Sequence, residues 1–364
     1  MKKISFLYFM IVASCSVFAG FGGASSYNFL NLVENARFSA LGSTNVSLYD
    51  STDINTFTFN PAMLSPASSG KLSFSNLPFY ADIHKVGLTY VFTHQKTGTV
   101  GVNIQNLNYG DFTRTDEDGT VLGDFSPSEY AITISKAHTV QNYSLGVNFK
   151  LAGSQIAGYN SFAILGDLGG TFRHPTKDFT VGLVFKNFGV ALKNYRSSER
   201  TKLPTDIQLG SSFKFEHLPL RLSLTAHSLA RTDIQYLNPD FHTSFDQEGK
   251  KIANDKTLAA QISRHFTIGG EFLLAKNFNF RIGYNHQQRA EMLLLKTRSG
   301  AGFSWGMMLR VKSFEFNYAR AVYHISGGVN VLTITMDLDR IIDRQKDKRS
   351  KKQQNILPVP DDQG

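Results

Sequence analysis

The feature that most constrains this chain is a strict period of two. In residues 143–151 (YSLGVNFKL), Tyr143, Leu145, Val147, Phe149 and Leu151 share one face, and Ser144, Gly146, Asn148 and Lys150 share the other. Successive side chains of an extended chain point to opposite faces, so this is a strand with one apolar and one polar side. The pattern recurs with Ile207, Leu209, Phe213 and Phe215 against Gln208, Gly210, Ser212 and Lys214. It recurs with Phe278, Phe280, Ile282 and Tyr284 against Asn279, Arg281, Gly283 and Asn285. It recurs again with Phe303, Trp305, Met307, Leu309 and Val311 against Ser304, Gly306 and Arg310. From Lys71 to Leu338 the alternation predicts about fourteen strands.

Alternation alone does not say which face is inside. A soluble sandwich or solenoid buries the apolar face, whereas a membrane barrel turns it to lipid and keeps a polar lumen. Three features favour the barrel. Many strands look ten residues long or more, against about five or six for ordinary strands. The polar face carries Lys150, Lys186, Lys214, Arg221, Glu271, Arg281 and Arg310, which suits a wide polar interior. The connections also alternate in length. Tight turns fall at 95–98, 140–142, 174–178, 216–219, 275–277 and 312–313, with longer links at 110–127, 191–203, 231–256 and 287–294. Short periplasmic turns and longer outer loops are the habit of outer-membrane barrels, and an even strand number leaves both mature termini on the periplasmic side. With 30 Phe, 14 Tyr and only 18% charged residues, the composition supplies the apolar face this requires. No run of 18 apolar residues follows the first twenty, so no transmembrane helix is expected.

The first nineteen residues read as a secretory signal peptide: two lysines, an apolar stretch from Ile4 to Ala13, and cleavage after Ala19. The rival reading is a lipobox, Val12-Ala13-Ser14-Cys15, cut before a lipid-modified cysteine. Cleavage after Ala19 removes the only cysteine, and with it any disulfide, thiolate nucleophile or Cys-based metal site. The net charge of +9 points only weakly to nucleic acid, and export argues against that partner. Part of the excess is local: Arg340 to Lys352 carries seven basic and two acidic residues, in a tail (339–364) expected to be disordered and periplasmic.

Catalytic signals are weak. Gly302-Phe303-Ser304-Trp305-Gly306 matches G-x-S-x-G, but Ser304 lies inside an alternating strand and not on the strand-to-helix turn a nucleophile needs. The ten histidines form no H-E-x-x-H, and no glycine-rich phosphate loop is present. Residues 115–119 (TDEDG) lack the spaced ligands and closing Glu of a calcium loop. The reading is therefore of a non-enzyme with no cofactor and no metal.

Ahead of the strands, residues 20–69 form a compact unit of another kind. Glu34 to Leu41 can make two helical turns with Gly42 to end them. Asn60 followed by Pro61 is a capped helix start, and Ser65-Pro66 a stop. Such a unit is too small to be stable alone. A fourteen-stranded barrel (70–338), for its part, is too wide for its own side chains to fill. A plug answers both problems.

The pattern Ala36-Arg37, Ala40-Leu41-Gly42, Tyr49-Asp50 and Asn60-Pro61-Ala62 resembles the hatch of the long-chain fatty acid transporter superfamily, FadL-like barrels with fourteen strands and an N-terminal plug. The start YNFLNL (27–32), the loop NYGDFTRTDEDGTVLGDFSPSEY (108–130) and the end HISGGVNVLTI (324–334) resemble more closely the PorQ family of the type IX secretion system. Gly42-Ser43 departs from the usual Gly-Gly, and the basic tail is not part of the likeness. The resemblance implies an all-β outer-membrane barrel that holds the surface protein PorZ, within an attachment complex containing PorU and PorV that joins cargo to lipopolysaccharide. Residues Phe112, Arg114, Tyr195, Arg196, Tyr236 and Phe241 of the outer loops are candidate contacts, because aromatics and Arg anchor interfaces. The alternative is uptake of a hydrophobic, fatty-acid-like molecule through an apolar pocket near the hatch.

Overall fold

The computed structural model describes residues 25–196, 201–231, 234, 258–291, 300–324 and 327–343. The signal segment with Cys15, the candidates Tyr236 and Phe241, and the tail beyond Asp343 lie outside them. The strands, in chain order, are β1 (Lys71–Pro78), β2 (His84–His94), β3 (Gly98–Asn108), β4 (Phe112–Thr115), β5 (Val121–Phe125), β6 (Ser128–Val140), β7 (Tyr143–Ile156) and β8 (Tyr159–Arg173). They continue as β9 (Phe179–Lys193), β10 (Asp206–Lys214), β11 (Leu220–Ala226), β12 (Phe266–Ala275), β13 (Phe278–Asn285), β14 (Phe303–Val311), β15 (Phe314–His324) and β16 (Gly327–Asp337). Fourteen of them close into one antiparallel barrel. Each pairs with its neighbour in sequence, except that β3 pairs with β6 across the separate β4–β5 hairpin. The ring shuts where Lys71 of β1 faces Asp337 of β16.

The alternation resolves in the membrane sense. Leu145 is 70% exposed and faces outward with Val147, Phe149, Phe303 and Trp305, while Ser144, Asn148, Lys150 and Arg281 are buried inward. Near the short turns the outer face carries aromatic pairs, Tyr143 with Phe172 (ring centroids 5.1 Å) and Phe314 with Phe316 (6.3 Å). A closed wall leaves no strand edge unpaired, and an apolar outer band ending in aromatics is a surface built to be solvated by lipid. No helix among the described residues is long and apolar enough to cross a membrane.

One end of the barrel carries only the tight turns expected from the sequence. The other end is less uniform than the length sorting predicts, since β7 and β8 are joined there by two residues, Ala157 (φ 49°) and Gly158. The link read at 110–127 is the β4–β5 hairpin, and the one at 287–294 begins as a helix, His286–Glu291. Most of the link at 231–256 lies outside the described residues.

The N-terminal segment runs through the lumen. Its helix α1 (Ala36–Ala40) is shorter than the two turns predicted, for a polar reason. Glu34 is drawn away to Lys85 (3.0 Å), and the Asn35 side chain takes the cap, accepting from the Arg37 and Phe38 amides. Gly42 (φ 87°) and Ser43 (φ 68°) end it in the left-handed region, with the Ser43 amide bonded to the Phe38 carbonyl. Asn60 caps the 3-10 turn Pro61–Met63 as expected. Ser65-Pro66 does not stop that turn; Ser65 caps one more, Pro66–Ser68, before β1. Helix α2 (Leu258–Ser263) and helix α3 (His286–Glu291) lie at the long-link end. Residues 338–343 are helical, so the expected disordered tail begins with ordered chain.

The described chain starts at the long-link end, where the Ser26 amide donates to Lys202 O (2.8 Å), and leaves β16 at the short-turn end. Strand parity places only the start of β1 and the end of β16 on one side. The segment ahead of β1 crosses the lumen once more, which parity does not count.

Candidate functional site

The lumen segment meets the wall through three polar anchors, each made of inward-facing strand residues and groups of the segment. The first centres on Arg37. Its guanidinium donates to both oxygens of Glu271 on β12 (2.9 and 3.0 Å), to Asp53 (2.8 Å) and to Asp50 (3.3 Å). Glu271, 1% exposed, also receives Arg281 of β13 (2.9 Å) and Arg221 of β11 (3.4 Å), and Arg281 continues to Asn317 (2.6 Å). Two carboxylates of the segment and one of the wall thus surround one buried guanidinium. The planar fork of Arg suits this, since four of its five N–H groups are directed at carboxylate oxygens.

The second anchor is Lys85 of β2, fully buried. It pairs with Glu34 and donates to the carbonyls of Phe29 (2.7 Å) and Leu32. The third lies at a β-bulge between β8 and β9, where Lys186 and Asn187 oppose Asp167. Asn187 (φ 55°) turns its amide to Asp167 (2.8 Å), and Lys150 bridges Asp167 (2.7 Å) and the Asn187 side chain (2.8 Å). Asn148 links this cluster to the segment by donating to Phe57 O (3.1 Å).

Between the anchors the contact is steric. A Cβ at Gly146 would sit 2.3 Å from the Pro61 carbonyl carbon, and one at Gly169 would sit 2.1 Å from Asn60 Oδ1. On the other wall, a Cβ at Gly283 would sit 2.3 Å from the Gly42 amide. At Gly146 and Gly283 the segment presses backbone against backbone, and at Gly169 the wall makes room for the Asn60 side chain and the Pro61 ring. The segment carries its own small core, with Phe38 stacked on Phe59 (3.6 Å) beside Leu41, Leu48 and Met63.

The hatch residues of the resemblance, Ala36, Arg37, Leu41, Gly42, Asp50, Asn60, Pro61 and Ala62, all lie on this segment. Ala36 donates its amide to Thr333 (2.9 Å), and Leu41 is in the small core. Gly42 donates to Ser304 Oγ (3.1 Å) and accepts from Asn285 (3.1 Å). Asp50 reaches Arg37, and Asn60 donates to Val46 O (2.9 Å) while capping Ala62. Pro61 and Ala62 lie against Gly146. Ser304, the serine of G-x-S-x-G, donates to Ala40 O (3.0 Å) while accepting from Gly42. Its hydroxyl is occupied at both lone pair and proton by the segment's backbone.

The sequence put Glu271, Arg281, Arg221 and Lys150 on the polar face but did not reveal their partners. Asp53, Glu34, Lys85 and Asp167 were not singled out. For Lys85 and Asp167 the signal was charge on a strand's inward face, which period-two reading detects and cannot pair; Asp53 and Glu34, ahead of the strands, carry no such periodicity. Among the loop candidates, Phe112 is exposed and stacked on Phe125 across the hairpin (5.7 Å), and Arg114 is exposed beside it. Tyr195 lines a cavity, and Arg196 lies over the Tyr159 ring (5.4 Å).

Two cavities adjoin the segment at the long-link end. One, about 450 Å³, is lined mostly by polar groups, among them Asn28, Asn31, Glu34, Lys186, Asp206 and Gln208. The other, about 410 Å³, is walled by Tyr27, Tyr109, Tyr159 and Tyr195, with Glu129 and Ile156. On the outer wall, a groove of about 820 Å³ is lined by Leu145, Val147, Leu168, Leu183 and Phe185, where Gly170 leaves a gap. Among the described residues no group of three or more His, Cys, Asp or Glu is placed to hold a metal ion.

No family model matches the sequence, and no curated protein matches it. Among solved structures, the chain is similar to the toluene transporter TbuX of Ralstonia pickettii at 11% identity and a TM-score of 0.46, over 83% of this chain and 97% of that one. It is similar to a deletion mutant of the monoaromatic hydrocarbon channel TodX at 14% identity and 0.45, over 84% and 97%. It is similar to a FadL homologue of Pseudomonas aeruginosa at 11% identity and 0.44, over 84% and 98%.

Proposed function

We propose that this protein is an outer-membrane barrel kept shut by its own N-terminal segment and used as an anchor, its outer links holding a partner protein at the cell surface. The observation that carries this reading is the Arg37 anchor. A plug that must move aside for solute gains little from a buried guanidinium tied to three carboxylates, two on the plug and one on the wall. The larger lumen cavity, polar on most sides, is a poor receptacle for an apolar molecule. The resemblance to the PorQ family names the partner as PorZ, in the attachment complex with PorU and PorV. Phe112 and Arg114 on the exposed hairpin, with Tyr195 and Arg196, are the contacts this reading assigns. The test is affinity purification of the tagged barrel from detergent-solubilised outer membranes. Co-purification of PorZ, reduced by Phe112→Ala with Arg114→Ala, is expected; its absence, with saturable fatty-acid binding instead, overturns the anchor.

A second reading, uptake of a hydrophobic molecule, is favoured by the outer groove. Behind Leu145 and Leu168 the wall is backbone alone at Gly146 and Gly169, with Pro61 directly inside. TbuX and TodX, to which the chain is similar, are a toluene transporter and a monoaromatic hydrocarbon channel. Entry from the membrane would require the segment around Pro61 to retreat. A disulfide trapping that turn against β7 would abolish uptake and leave anchoring intact.

A further inference from the structure

Glu129 is the buried carboxylate that the three anchors leave out. It lies on β6 facing inward and is 4% exposed. Its side chain receives the Tyr109 hydroxyl (2.6 Å), and among the described residues no Lys, Arg or His lies within ion-pair distance of it. Lys85, the nearby lysine, is already committed to Glu34 and two carbonyls. Across the β6–β7 pair, the Ser154 hydroxyl faces Glu129 and lies near enough to act on both Glu129 and Tyr195, so the donors around this carboxylate are neutral hydroxyls. A buried carboxylate served by neutral hydroxyls, with no cation at ion-pair distance, carries an uncompensated negative charge.

The space beside it has a defined chemistry. Tyr27, Tyr109, Tyr159 and Tyr195 wall the cavity of about 410 Å³, which opens at the long-link end. Tyr27 is fixed by Ser161 (2.6 Å), and Tyr109 by Glu129 itself. Burial, and then the carboxylate it donates to, hold the Tyr109 hydroxyl above its ordinary value, so it stays a donor. Ring faces attract cations, and the chain shows this at the rim, where the Arg196 guanidinium lies over Tyr159. Rings around a buried carboxylate make a cage for positive charge.

We propose that this tyrosine-walled cavity is a binding site for a cationic group, an alkylammonium or a guanidinium, with Glu129 as its counter-ion and Tyr159 and Tyr195 as its faces. The site is independent of the anchoring reading: it stands if the barrel holds no partner, and it falls if Glu129 proves indifferent to cations. Two sources supply such a group, a free quaternary amine or an arginine side chain of a protein seated on the outer links.

The experiment uses the full mature chain in detergent, titrated calorimetrically with choline and, separately, with arginine amide. Saturable binding of at least one probe, weakened by salt, is expected. Glu129→Gln keeps the shape and the Tyr109 contact, and should lower the affinity about tenfold or more. Tyr159→Leu, at a half-exposed position, should lower it about threefold or more. Gel mobility before and after heating verifies that each variant is a closed barrel. Binding of choline alone assigns a small amine, and of arginine amide alone a side chain; binding of both assigns the shared charge. Failure of both probes to saturate, or an unchanged affinity in Glu129→Gln, overturns the proposal.

Discussion

Replacing Arg37 with methionine keeps an unbranched stem of similar length and removes the guanidinium. The variant leaves Asp50 and Asp53 without the cation that now lies 3.3 and 2.8 Å away. Glu271 retains Arg281 and Arg221, so the wall side of the anchor is only weakened. The loss therefore falls mostly on the segment's two carboxylates. Removing one partner of a buried ion pair costs about 3–5 kcal/mol, because it strands the other charge. The barrel ladder is untouched, so that cost should appear as release of the segment and not as unfolding of the wall. At about 1.4 kcal/mol per tenfold change, the released population should rise by roughly two to three and a half orders of magnitude. Hydrogen exchange of residues 36–63 in detergent reads this directly, as faster exchange beside an unchanged β1–β16 ladder. Single-channel recording in planar bilayers should show new openings. Arg310→Met is the control: its pair with Glu315 is 41% and 23% exposed, and such a pair contributes about 0–1 kcal/mol. If Arg37→Met leaves exchange of residues 36–63 at the level of the control, the ionic-anchor argument is wrong.

Three further outcomes are expected. Gly146→Val places a Cβ 2.3 Å from the Pro61 carbonyl carbon, so residues 57–63 should lose exchange protection while the barrel still closes on a gel. Ser304→Ala removes a hydroxyl serving two buried backbone groups of the segment, a cost of about 1–3 kcal/mol in segment docking. Any esterase activity that disappeared with it would contradict the structural role. His227, just beyond the end of β11 at the long-link end, is lowered to about 4 by burial and then by His265. A folded value below the unfolded one means the neutral form stabilises the fold. That contribution is full above about pH 6.5 and is lost as pH falls towards 4, about 3 kcal/mol at most. Thermal denaturation followed from pH 7 to 4 should fall in this window, and His227→Gln should flatten the fall.

Much of the fold was legible in the chain because a β-strand writes its two faces into adjacent residues. Tyr143 to Leu151 needs no partner to show that Leu145 and Ser144 point apart, and turn chemistry marks where each strand stops. Strand length and inward charge then chose lipid over water for the apolar face. The cap at Asn60 was readable for the same local reason, since its side chain serves an amide two residues on, whereas the cap at Asn35 was set by the withdrawal of Glu34 to distant Lys85. What stayed hidden was every interaction that joins distant chain. Arg37 and Glu271 are 234 residues apart in sequence, Glu34 and Lys85 are brought together by the segment's path, and the β8–β9 bulge sets Asp167 against Asn187. Periodicity assigns a charge to a face; only closure of the barrel around its own N-terminal segment decides which opposite charge it meets there. The same closure left Glu129 inside without a cation, because burial depends on the whole ring of strands and not on the residues beside it.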